Sequence, residues 1–193
     1  MNPESASSHI VLDKSELRKN IEFVRSKLKK GVKLSAVIKG NAYGHGIQQI
    51  VPMMEDEGIS HFSVYGIEEA EAFHECAKPG SQLMIMGYIA PENLDWTLRK
   101  GYEFFIYDVY QLKHAIKAAK EIEVEARIHI EVETGMNRTG IDEGALEEVV
   151  KLAQENSEHI RLSGICTHLA GSESITNYYR IKHQMIRYIK YLK

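Results

Sequence analysis

Three polar side chains stand where apolar runs give way to polar loops: Lys39 after SAVI, Arg138 within ETGMNRTG, and His168 at the end of SGICTH. A lysine amine can condense with a carbonyl to form a Schiff base. For that it must be neutral, and burial or neighbouring cations lower its pKa toward that state. A guanidinium suits a phenolate or carboxylate, and the glycines beside Arg138 permit tight backbone turns. Each residue also has a plainer reading: a lysine leaving a strand for solvent, a solvated arginine on a loop, a histidine held by structural hydrogen bonds. Residue type alone does not choose between them.

Position says more. Short β-like runs alternate with helix-like stretches along the chain. KLSAVIK (33 to 39) reads as a buried strand and its sequel GNAYGHG as a loop. HIVLD (9 to 13) reads as a short extended piece before an amphipathic helix over 14 to 30. The helix after residue 46 places Ile47, Ile50, Val51 and Met54 at helical spacing, with Pro52 expected to kink it. HFSVYG, QLMIMGY, EFFIYD, EARIHIEVE and RLSGICTHLA supply five further strands, separated by helices. Pro91 suits a first helical turn, and Asp108 suits an N-cap. From Ser174 onward, Ile181, Met185, Tyr188 and Leu192 fall on one helical face.

Regular βα alternation implies parallel strands joined by right-handed crossovers. An open doubly wound sheet and a (β/α)8 barrel both fit, with about six βα units counted against the barrel's eight. In either architecture the C-terminal strand ends build the active site. Lys39, Arg138 and His168 follow strands 1, 5 and 6, which makes them candidates for one pocket.

The bulk properties narrow the partners. The 193 residues suit one domain with a substantial core, and a formal charge of -3 gives no reason to expect nucleic acid or an anionic membrane. No apolar run approaches the ~20 residues needed to cross a bilayer. The polar opening MNPESASSHI lacks the pattern of a secretory signal, so a cytoplasmic protein is expected. The two cysteines, Cys76 and Cys166, are expected as buried free thiols and not as a disulfide or a metal site.

Taken together, three blocks in order resemble the alanine racemase family. AVIKGNAYGHG is similar to its pyridoxal-phosphate attachment signature, EVETGMNRTGI to its TGM-x-R-x-G block, and CTHLA to its threonine-histidine strand end. The resemblance implies an N-terminal (β/α)8 TIM-type barrel, incomplete here, as a pyridoxal 5'-phosphate-binding domain over 1 to 193. It implies that Lys39 holds the cofactor and exchanges the substrate α-proton on one face. Tyr43 corresponds to a tyrosine beside the cofactor phosphate. Arg138 corresponds to an arginine near the cofactor's phenolic oxygen and the substrate carboxylate, and His168 to a histidine packed by the ring. The implied reaction is racemisation of a small amino acid, L-alanine to D-alanine for cell-wall supply. A homodimer is implied for the full-length form.

Some positions depart from the family. Many relatives carry a carbamylated lysine seven residues before the arginine, where this chain has Glu131. A glutamate is a permanent anion on a shorter stem, and it is expected to orient Arg138 directly. Glu133 replaces a usual aspartate, and GSES (171 to 174) departs from the common acidic pattern after the histidine. Family members run to about twice this length, with a β-rich C-terminal domain that carries the second catalytic base. The chain therefore reads as the N-terminal part of the site, with racemase activity implied for the full protein. Its open barrel is expected to leave strands 1 and 6 with unpaired edges and exposed apolar faces. Two other readings remain. One is a single-domain pyridoxal-phosphate homeostasis protein, whose lysine block lacks the NAYGHG sequel. The other is a non-catalytic interaction module using the basic, tyrosine-rich tail after Glu173.

Overall fold

A computed structural model describes residues 8–192. The opening stretch read for a targeting signal falls largely in residues 1–7, outside the described residues. The chain groups into two compact units, one up to Met84 and one from Ile85. Strand order follows chain order within each.

The first unit begins without a strand. Residues 8–13 have no regular structure, and Ile10 and Val11 are exposed. The expected extended piece joins no sheet and ends at Asp13, whose carboxylate caps α1 (Lys14–Lys27) by accepting from Ser15 N–H at 2.8 Å and Glu16 N–H at 3.2 Å. β1 (Ala36–Val37) is shorter than the expected seven-residue run. It pairs in parallel with β2 (His61–Val64), Ala36 opposite Phe62 and Val37 opposite Ser63. One more ladder bond, Ile38 N–H to the Ser63 carbonyl, carries the pairing as far as Lys39. There the backbone turns into α2 (Lys39–Tyr43) and then α3 (Ile47–Asp56). Pro52 does not end α3. The carbonyl it leaves without an intrahelical donor belongs to Gln48, which is exposed, so water can serve it. α4 (Ile67–Cys76) and β3 (Gln82–Ile85) match their expected positions. Phe62 and Phe73 pack with tilted rings, 5.2 Å between centroids, in this unit's core, which includes Val51, Val64 and Leu83.

Charge ties α1 to α3. The Asp56 carboxylate receives Lys14 at 2.7 Å and Lys78 at 2.8 Å, and these two lysines hold its pKa down at about 2. A depressed folded-state pKa contributes stability above the unfolded value of 3.8, lost as pH falls toward about 2. The protection factors of the α1 amides, which compare each exchange rate with its intrinsic rate at the same pH, are therefore expected to fall between pH 4 and pH 2. Asp56→Asn should exchange faster at neutral pH and show a flatter response over that window. The groups are exposed, so the effect is small and salt-sensitive.

The second unit contains α5 (Pro91–Arg99), β4 (Glu103–Ile106), α6 (Val109–Ile122), β5 (Ala126–Glu131), α7 (Glu143–Glu155), β6 (Ile160–Cys166) and α8 (Tyr178–Tyr191). β4, β5 and β6 pair in parallel, with Glu103 opposite Arg127 and Glu131 opposite Cys166. Pro91 opens α5 at its first helical position. Asp108 caps α6, accepting from Gln111 N–H at 2.7 Å, while the Gln111 side chain accepts from Tyr107 N–H at 3.0 Å. Along β5, Ala126, Ile128 and Ile130 are buried among apolar residues such as Leu112, Ala119, Val149 and Ala153. Arg127, His129 and Glu131 occupy the other face, where His129 pairs with Glu103 at 2.8 Å. Exposed apolar side chains occur on the outer strands, Val37 of β1 in the first unit and Leu162 of β6 in the second.

The last helix departs from its periodicity. Gln184 is buried at 1% exposure, whereas Met185, expected inside, is 39% exposed and Leu192 is 56% exposed. The inward face runs through Ile181, Gln184, Tyr188 and Tyr191. Polar contacts, set out below, decide this orientation.

Candidate functional site

Lys39 is half-buried and opens a turn of unusual hand. Gly40, Asn41 and Ala42 have φ/ψ of 61/41, 52/52 and 53/46, and Tyr43 continues with φ 54. This is one turn of left-handed helix, closed by Ala42 N–H to the Ile38 carbonyl at 2.8 Å and Gly44 N–H to the Gly40 carbonyl at 3.0 Å. The sequence reading placed an ordinary loop here, because only the glycines signal positive φ. The Lys39 amine has no hydrogen bond or ion pair among the described residues, so it is available to a carbonyl ligand. Tyr43 is four residues on and 63% exposed. With Ala42, His45 and Met53 it borders a cavity of about 440 Å3.

In the second unit, Glu131 ends β5 and is 5% exposed. The loop after it leaves at Val132 and returns to pair Val132 with Ile141. Glu133 N–H donates to the Ile141 carbonyl at 2.9 Å, and Ile141 N–H donates to the Glu131 carbonyl at 2.8 Å. Gly140, at φ +119, makes this closure feasible. The Glu133 carboxylate spans the interior of the loop, accepting from Gly135 N–H and from Asn137 N–H at 2.7 Å. Glu133 thus has a defined structural task. Arg138 sits exposed on this loop with no hydrogen bond or ion pair among the described residues.

Burial pushes the Glu131 carboxyl up, and hydrogen bonding from Thr139 and the charge of Arg138 pull it partly back. Glu131 and Arg138 make no ion pair among the described residues, and Arg138 acts on the carboxylate through its charge. A raised folded pKa makes the ionised form costly, so stability falls as pH rises through the raised value. Glu131→Gln is expected to be at least as stable as the parent at pH 7 by urea titration. A marked loss of stability in that variant would show that the ionised carboxylate is needed for the fold.

Cys166 stands opposite Glu131 in register, and burial, then the Glu131 charge, pushes its thiol up to about 12. Cys76 and Cys166 are both free, and both are half-buried where full burial was expected.

His168 is exposed, and its carbonyl is held from behind: Gln184 Nε2 donates to it at 2.8 Å. The same Gln184 Nε2 reaches Thr134 Oγ1 at 3.3 Å, and Gln184 Oε1 accepts from Ala170 N–H at 3.1 Å. Thr134 and Thr167 hydroxyls pair at 2.7 Å, and Thr167 donates to the Val132 carbonyl at 2.9 Å. Other α8 residues add donors to the same strand ends: Arg180 to Gly135 O, Tyr188 to Ile165 O at 2.6 Å, and Tyr191 to Glu133 O. The basic, tyrosine-rich tail considered as an interaction helix thus spends several of its polar groups inward. Helical periodicity missed this because it weighs apolar residues and ignores carbonyls in need of donors.

Residues 12–191 match the family profile described as alanine racemase, N-terminal domain. The chain is 31% identical over 153 residues to alanine racemase 1 of Caldanaerobacter subterraneus subsp. tengcongensis, covering 79% of this chain and 39% of that protein. It is 28% identical over 170 residues to alanine racemase of Listeria monocytogenes serotype 1/2a, covering 88% and 45%. Its fold superposes on alanine racemase from Streptomyces coelicolor A3(2) with a TM-score of 0.87, at 24% identity, over 94% of this chain and 48% of the other. The Oenococcus oeni enzyme gives 0.83 at 24% identity, over 94% and 51%. The chain spans less than half the length of these curated relatives. The structural likenesses establish the fold as that of the N-terminal α/β barrel domain, with six parallel strands among the described residues.

Proposed function

Because the chain belongs to the alanine racemase family, we propose that it forms the lysine-bearing part of a pyridoxal-phosphate-dependent racemase acting on alanine. The observation that carries this reading is Lys39. It ends β1, opens the left-handed turn, and keeps an uncommitted amine among the described residues. That donor suits an aldehyde cofactor, so the residues fit the group. When bound, pyridoxal phosphate would stabilise negative charge at the substrate Cα.

The chain's own residues have separate tasks in this reading. Lys39 holds the cofactor and moves the α-proton at its Nζ. The Tyr43 hydroxyl serves the phosphate. Arg138, free of competing partners among the described residues, attracts the substrate carboxylate, and Glu131 supplies the anion behind it. His168 packs by the cofactor ring, its backbone fixed through Gln184. Residues 1 to 193 are read as one cofactor-binding barrel domain of a cytoplasmic homodimeric enzyme, with D-alanine for the cell wall as product. No helix among the described residues is long and apolar enough to cross a membrane.

The test is α-proton exchange. The chain, pyridoxal phosphate and L-alanine are mixed in D2O, and deuterium at Cα is followed by NMR. Exchange above the free-cofactor rate, lost in Lys39→Ala, is the expected outcome. An unchanged rate in Lys39→Ala would contradict the assignment.

A further inference from the structure

The turn after Lys39 is expensive. A left-handed conformation brings the Cβ of a non-glycine residue against its own carbonyl, and Asn41, Ala42 and Tyr43 all adopt it. Such a turn persists only where its surroundings hold it. On its far side the anchors are local. Asn41 Oδ1 accepts from Ile47 N–H at 3.0 Å, the Asn41 carbonyl accepts from Gly46 N–H at 2.9 Å, and the His45 ring contacts the Ala42 carbonyl at 2.9 Å. On the near side the anchor comes from another element. Glu69 Oε1 accepts from Gly40 N–H, the amide immediately after Lys39, at 2.5 Å.

The other oxygen of the same carboxylate is committed elsewhere. Glu69 Oε2 accepts from Tyr65 N–H at 2.8 Å and Gly66 N–H at 3.3 Å, capping the start of α4, where Gly66 has no side chain to do so. Capping alone needs one oxygen. The second joins the end of β2 to the peptide plane that follows Lys39.

We propose that Glu69 is a positioning residue for Lys39: by binding Gly40 N–H it fixes the first peptide of the left-handed turn, and with it the direction in which the lysine leaves β1. This rests on the reading of Lys39 as the cofactor lysine. It predicts that the helix-capping and lysine-positioning roles of Glu69 are separable. A carboxylate one methylene shorter can still serve a helix start, but it cannot span to Gly40 while doing so.

Glu69→Asp and Glu69→Gln are compared with the parent chain and with Glu71→Gln, a change on an exposed position of the same helix. Two quantities are read: hydrogen exchange at the Gly40 amide without cofactor, and the pyridoxal phosphate concentration needed for half-maximal borohydride-reducible labelling at Lys39. In Glu69→Asp the α4 amides should stay protected. Gly40 should exchange at least tenfold faster, and Lys39 labelling should need about tenfold more cofactor. Glu71→Gln should match the parent. Parent-like labelling and Gly40 exchange in Glu69→Asp would overturn the proposal. If the parent chain itself is not labelled at Lys39, the reading of Lys39 fails and the proposal falls with it. That failure shows before any variant is made, so the two are distinguishable.

Discussion

Gln184→Leu is expected to lower the stability of the second unit by roughly 2–5 kcal/mol, a large share of a domain's total of about 5–15. The side chain is 1% exposed and satisfies three partners: Thr134 Oγ1, the His168 carbonyl and Ala170 N–H. Leucine has a similar volume but leaves the Ala170 donor and the His168 acceptor without Gln184. A buried polar group left unpaired costs about 1–3 kcal/mol. Apolar periodicity makes the opposite forecast, with Met185 in the core. Met185→Gln is instead expected to change stability by less than about 0.5 kcal/mol. Urea titration followed by fluorescence of Trp96, the only tryptophan in the chain and part of α5, reads the second unit directly. A neutral Gln184→Leu beside a costly Met185→Gln would reverse the orientation assigned to α8. Because Gln184 ties down both the loop after β5 and the strand end at His168, its loss should also loosen the backbone around Thr134 and His168.

The second large effect is expected at Gly140→Ala. A Cβ there would lie 2.7 Å from Glu133 N and 2.9 Å from the Val132 carbonyl carbon, and the residue sits at φ +119. Both neighbours are backbone atoms, and both belong to the bridge that closes the Arg138 loop. They cannot move without breaking the Glu133–Ile141 or Ile141–Glu131 hydrogen bonds. A loss of about 2–4 kcal/mol is expected, with faster amide exchange at Glu133 and Ile141. Gly135→Ala makes a useful contrast. Its φ of +133 is also unfavourable, but the nearest atom to its Cβ is the Gln184 Cγ at 3.4 Å, a side chain with room to give. The order Gly140→Ala worse than Gly135→Ala should hold; the reverse order would show that the loop closes differently.

Much of this architecture was legible in the sequence because the signals were local. Asp108 and Pro91 marked helix starts through their own chemistry, and the apolar pattern located α4, α6 and α7. The strand ends bearing Lys39, Glu131 and His168 followed from the same alternation, and the family blocks assigned them roles. Three features depended on partners distant in sequence and left no such signal. β1 shrank because its chain leaves the ladder at Lys39 for a left-handed turn. α8 turned by one residue because strand-end carbonyls needed donors that Gln184, Tyr188 and Tyr191 could offer. Glu69 holds the Gly40 amide across a separation of 29 residues, and nothing local announces that contact. The extended piece expected at 9 to 13 joins no sheet: Ile10 and Val11 stay exposed, and Asp13, in extended conformation, caps α1.

The central claim is that Lys39 is the lysine of a pyridoxal-phosphate site, and the most direct test is to capture the cofactor chemically. The chain is mixed with pyridoxal phosphate, reduced with borohydride, digested, and the modified lysine located by mass spectrometry. Modification concentrated at Lys39 and lost in Lys39→Ala is the predicted result. Modification spread over many lysines, and unaffected by Lys39→Ala, would contradict it.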